Sequence, residues 1–121
     1  MEKWIYNGQT GRWDWKYTIP ASAIPGYHVD GIGNLFAVGL RNISGITLDN
    51  GLVTIYAITS TGGDTLNDEG AAPNQLVSIT DPVTATTIPA GESFSVIATA
   101  AYGDVLRGVA VVSPGGGAQS R

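Results

Sequence analysis

Cysteine is absent from this sequence, which excludes disulfides, thiol catalysis and cysteine-ligated metal sites. Histidine occurs once, at His28, inside a Pro/Gly-rich connection. A Ser-His-Asp relay would have to use it, yet no G-x-S-x-G elbow is present, so His28 reads as a surface residue. Metal-dependent enzymes on small jelly rolls use two or more histidines. The chain is therefore expected to be non-enzymatic, with no catalytic residues, no cofactor and no metal site.

Charge is scarce as well. Asp, Glu, Lys and Arg make up 13% of residues, against ~25% in an ordinary soluble domain. The lysines are Lys3 and Lys16 alone, and from Pro82 onward the charges are Glu92, Asp104, Arg107 and Arg121. Net charge is −4 and no basic patch is present, so nucleic acid is not an expected partner. No run approaches the ~18–20 apolar residues of a membrane helix, and no basic amphipathic helix occurs, so a membrane is not expected either. The opening MEKWIYNGQTGRW lacks the apolar centre of a secretory signal. The expectation is a soluble product made in a cytoplasm. So sparse a charged surface is weakly protected against association. That points to cover by partner proteins; a polar but uncharged Thr/Ser/Gly/Asn surface is the alternative.

Possible ligating groups are few. DTLNDEG clusters Asp64, Asn67, Asp68 and Glu69, but without the spacing of a calcium loop, and it reads as a solvated loop. Asp30, Asp49, Asp81, Glu92 and Asp104 fall mostly in turn contexts, where Asp caps its own backbone. No pair stands out as the two carboxylates of a glycosidase. SPGGGAQS lacks the Lys-Ser/Thr of a phosphate loop and reads as a flexible tail.

What is present is β-pattern. Seventeen glycines, six prolines and abundant Thr, Val and Ile cut the chain into short runs. Residues 4–7 and 12–19 flank NGQTG, a hairpin signal. Residues 19–34 read as a long surface connection. Strands are expected at 35–41, with Phe36, Val38 and Leu40 on one face, and at 45–48 before an Asp49-Asn50-Gly51 turn. The run 52–60 is apolar on both faces, as in a central strand. Further strands are expected at 75–81, 83–88, 94–102 and 105–113. Phe94, Val96, Ala98, Ala100 and Tyr102 fall on one face of the 94–102 run. The predicted fold is all-β: a single β-sandwich of about eight short antiparallel strands with Greek-key connections, Ig-like or jelly-roll-like. One domain is expected, with an aromatic hairpin or arm at 1–19, the sandwich at 20–113 and a Gly-rich tail at 114–121.

The hairpin carries the strongest pattern. In GRWDWKYTIP, Trp13, Trp15 and Tyr17 alternate with Arg12, Asp14 and Lys16, so a strand there has one aromatic and one charged face. Trp4 and Tyr6 lie beside them in sequence. These aromatics, Trp4, Tyr6, Trp13, Trp15 and Tyr17, have three possible destinations: the protein's own core, a protein interface, or a sugar. A sugar platform would use Trp13, Trp15 and Tyr17 with Arg12 in its polar fringe.

The stretch LRNISGITLDNGLVTIYAITSTGG, followed by TTIPAGESFSVIATAAY and LRGVAVVS, resembles small β-sandwich decoration (cement) proteins of tailed-bacteriophage capsids. IPAGESFSV, a turn leading into an alternating strand, is the most recognisable piece. The resemblance covers about two-thirds of the chain and excludes the hairpin. It implies a structural subunit on the outer surface of a virion, a homo-oligomer and specifically a trimer, cementing the shell by binding major capsid protein. It transfers no site residues.

Overall fold

The computed structural model describes residues 1–27, 36–62 and 73–112. His28, Asp30, the acidic loop with Asp64, Asn67, Asp68 and Glu69, and the 114–121 tail lie outside the described residues, as do the side chains of Phe36 and Val38. The fold is all-β and sandwich-like, built from two antiparallel sheets. Strands β1 (Glu2–Asn7) and β2 (Arg12–Thr18) form the smaller one. After a short 3₁₀ turn at Ala21–Ala23, β3 (Phe36–Thr47), β4 (Leu52–Gly62), β5 (Gln75–Pro82) and β6 (Ser95–Thr99) form the larger one. Its order, β3-β4-β5-β6, is a meander. Among the described residues this sheet contains no Greek-key connection.

Local chemistry explains the turns. The Asn7 side chain accepts hydrogen bonds from the Gln9 and Thr10 amides at 3.0 and 3.3 Å, an Asx turn that reverses the chain. The left-handed residue of this hairpin is Gly11, at φ 67°, not the Asn-Gly pair. Gly51 serves the β3–β4 hairpin in the same way, at φ 78°.

The core lies between the sheets. β4 is central, as its apolar run predicts, and Ala57, Ile58 and Thr59 are all buried. Alternation along β4 and β5 sends Ala57, Val77 and Ile79 into a cluster with Tyr17, Ile19, Ile24, Ala37 and Phe94.

Several expected elements differ. The runs at 35–41 and 45–48 fuse into β3, because bulges near Ala37 and Asn42 absorb the irregular residues without ending the ladder. Asn42 sits at φ 47°, a conformation asparagine tolerates. Residues 83–88 form no strand: Val83 donates to the Gly51 carbonyl and Ala85 turns back onto the Pro82 carbonyl. β6 stops at Thr99, and of the expected apolar face only Phe94 is buried; Val96 and Ile97 are exposed on β6, an edge strand among the described residues, and Tyr102 is exposed in the turn beyond it. Residues 105–112 join no ladder. Side chains hold them instead. Asn74 exchanges two hydrogen bonds with the Leu106 backbone, at 2.9 and 2.8 Å, and donates to the Thr59 carbonyl at 3.0 Å. Asn42 donates to the Arg107 carbonyl, and Ser44 accepts from the Val111 amide at 3.0 Å. Among the described residues, six strands stand where about eight were expected for the chain.

Asn74 is buried and its amide meets three backbone groups. Asn74→Ala should lower the unfolding free energy by about 2–3 kcal/mol, since it leaves buried donors and acceptors unmet. Denaturant titration measures this, and amide exchange should show protection at Leu106 lost first.

Candidate functional site

The hairpin places the candidate site. Cross-strand partners are Trp4 with Trp15 and Tyr6 with Trp13, so these four side chains share one face. Tyr6 and Trp13 meet edge-on, with ring centroids 5.5 Å apart. The face is open: Trp4, Tyr6, Trp13 and Trp15 are 48, 54, 65 and 52% exposed. None of the four is a core residue, so the own-core destination is ruled out for them.

Tyr17 does not belong to that face. A bulge makes Lys16 an extra residue: Lys3 pairs with Tyr17, but Trp4 pairs with Trp15. An inserted residue shifts the period-2 alternation. Tyr17 therefore turns to the Lys3 side and into the core, where it is 5% exposed. The single aromatic face of Trp13, Trp15 and Tyr17 read from the sequence is thus split in two. The opposite face of the hairpin is polar. Asn7 donates to Asp14 at 3.2 Å, Lys16 lies 3.7 Å from Asp14, and alternation places Arg12 there as well. Arg12 is consequently not in the fringe of the tryptophans. Glu2 and its cross-strand partner Thr18 are polar groups on that face, and Glu2 accepts from the Trp4 indole at 3.0 Å.

Between the hairpin and the larger sheet runs an open groove of about 620 Å³, whose lining includes Trp4, Tyr6, Trp13, Val53 and Ile55 together with Lys3 and Asp81.

Those two residues begin an ionic cluster that sequence reasoning missed. On β5, Val77, Ile79 and Asp81 occupy successive core-facing positions, so the carboxylate of Asp81 is buried. Lys3 meets it at 2.6 Å and also donates to the Pro82 carbonyl. Tyr17 donates to the other Asp81 oxygen and accepts from Lys3 at 3.3 Å, while the ammonium lies 5.2 Å from its ring centroid. Burial first, then the hydrogen bond to Asp81, keep the Tyr17 hydroxyl protonated well above its ordinary range. Glu92 completes the cluster. Both its oxygens are closed off from solvent and lack a hydrogen-bond partner. Burial, then the nearby charge of Asp81, push its carboxyl up to about 7, against a smaller pull from Lys3.

A near-neutral carboxyl beside an ionised one is an acid–base pattern. Here Glu92 does not line the groove and its oxygens are sealed, so the geometry anchors the hairpin rather than presenting an acid to a ligand. Asp81 lies in a strand and is buried, not in the turn context its sequence suggests, whereas Glu92 does end a turn but with its carboxyl closed off from solvent. The period-2 row Val77, Ile79, Asp81 is the signal that places Asp81 inside. No group of three or more metal-ligating side chains occurs among the described residues.

Comparison of the chain with family models, curated proteins and solved structures finds no match.

Removing one partner of a buried ion pair strands the other charge. Lys3→Met should therefore lower the unfolding free energy by about 3–5 kcal/mol. The double variant Lys3→Met, Asp81→Leu should recover most of that loss, as read by denaturant titration.

Proposed function

We propose that this chain is a non-enzymatic virion structural protein that decorates and cements the outer surface of a phage capsid. It docks on major capsid protein through the aromatic face of its hairpin, as a homotrimer. The observation that carries this reading is the exposure of Trp4, Tyr6, Trp13 and Trp15 on one face of a hairpin anchored from behind by Lys3. Clustered aromatics of this kind are the usual anchors of protein interfaces. The low charge and the uncovered β6 edge support the same reading, because both suit surfaces that neighbours close off. The resemblance of residues 35–113 to cement proteins supplies the shell as partner and the virion surface as location.

The alternative is a carbohydrate- or receptor-binding module. Exposure of Trp13 and Trp15 favours it, since a stacking platform must be open. Against it, the polar groups that would grip a sugar's hydroxyls, Arg12, Asn7 and Asp14, sit on the opposite face. Tyr17 is buried and unavailable.

Co-sedimentation with undecorated heads of the phage that encodes the chain tests the proposal. The wild type should bind and run as a trimer in sedimentation equilibrium. Trp13→Ala and Trp15→Ala should each weaken binding by about 30-fold, the equivalent of ~2 kcal/mol at an interface anchor, with the unfolding midpoint nearly unchanged. A monomer that ignores the shell would refute the proposal. Glycan binding abolished by the same two variants would install the alternative.

A further inference from the structure

We propose that Glu92 is a proton-controlled latch: protonated, it lets the Pro89–Ser93 turn close against Asp81, and ionised, it drives that turn and the start of β6 off the core. This inference is independent of what the aromatic face binds.

The charges do not balance when both carboxylates are ionised. The groups facing Glu92 are Asp81 from β5, Lys3 from β1 and the Tyr17 hydroxyl from β2. Lys3 already neutralises Asp81 at 2.6 Å. A second carboxylate leaves one uncompensated negative charge in a space closed to water, and such a charge is relieved by letting water in. One of the two acids must move.

Asp81 is the held one. Lys3 and Tyr17 grip its two oxygens, and it lies within a paired strand. Glu92 is unheld, since neither oxygen has a partner. It ends a tight turn in which its amide donates to Pro89 at 3.2 Å and Gly91 takes φ 75°. Immediately downstream, Phe94 plugs the core and its amide donates to Ala23 at 2.9 Å. β6 follows, five residues long, exposed throughout and paired only with β5 among the described strands. The segment that Glu92 can displace is thus short, lightly covered and at an edge. Local openings draw on such segments. Opening would unplug Phe94 and bare an apolar surface next to the β6 edge.

The sign follows from linkage. A carboxyl whose affinity for protons is higher in the closed state favours closure below its open-state pKa, and that advantage is lost as pH rises through the closed-state value. With closed and open values of about 7 and 4.5, opening should increase on the order of 100-fold between about pH 5 and pH 8.

Amide exchange followed by NMR, corrected for intrinsic pH dependence, tests this. Protection at Phe94 and along β6 should fall by that factor in the wild type, while amides of Ala57 and Ile58 keep theirs. Glu92→Gln should hold Phe94 and β6 protected across the range. Equal loss of protection in Glu92→Gln, or loss spread evenly into β4, overturns the latch. Carbon-13 titration of the Glu92 carboxyl in the wild type reads the same point without a variant: a midpoint near 7 supports the proposal, and one near 4.5 overturns it.

Discussion

A single buried carboxylate organises this molecule. Asp81 occupies the core-facing row of β5 after Val77 and Ile79, where an unpaired charge is untenable. Lys3 is the cation that reaches it. Side chains alternate along a strand, so once Lys3 points inward, Trp4 and Tyr6 must point outward. The bulge at Lys16 then lets Tyr17 join Lys3 inside while Trp13 and Trp15 stay with the outer pair. The exposed aromatic face is therefore the back of an ionic anchor. The polar contacts from hairpin to larger sheet, among the described residues, all end on Asp81 or Pro82. Orientation and polar attachment of the hairpin thus centre on Asp81, beside the apolar packing of Tyr17 and Ile19.

Much of this was legible in the residues. The all-β class, the hairpin, the central β4 and the Asp49–Gly51 and Pro89–Glu92 turns follow from alternation and turn chemistry. Asp81 was legible too, had the Val77–Ile79 period been carried two residues further. The bulge was not, because an inserted residue has no signature of its own and Lys16 looks like any alternating charge. It decides the fate of Tyr17, which the unbroken pattern assigned to the tryptophans. Residues 105–112 alternate as a strand should. Pairing, however, needs a ladder partner, and here the side chains of Asn74, Asn42 and Ser44 take the backbone groups instead.

The uncovered surfaces have a common geometric origin. Strands lie about 4.8 Å apart, so a two-stranded layer spans about half the width of a four-stranded sheet. The hairpin can cover the sheet near β4 and β5, where Tyr17 and Ile19 meet Ala57, Val77 and Ile79. It leaves the groove by Val53 and Ile55 open, and no strand among the described residues pairs with the outer edge of β6. A free domain ordinarily guards such places with lysine, a charged edge or proline. None of these occurs in β6, whose residues are Ser95, Val96, Ile97, Ala98 and Thr99. Sparse charge and incomplete cover are thus the same property seen in composition and in architecture. Both are met together when a neighbouring molecule supplies the missing layer. In the proposed docking the hairpin's outer tryptophans would complete an interface rather than a core, because the ionic anchor behind them has already committed the inner face.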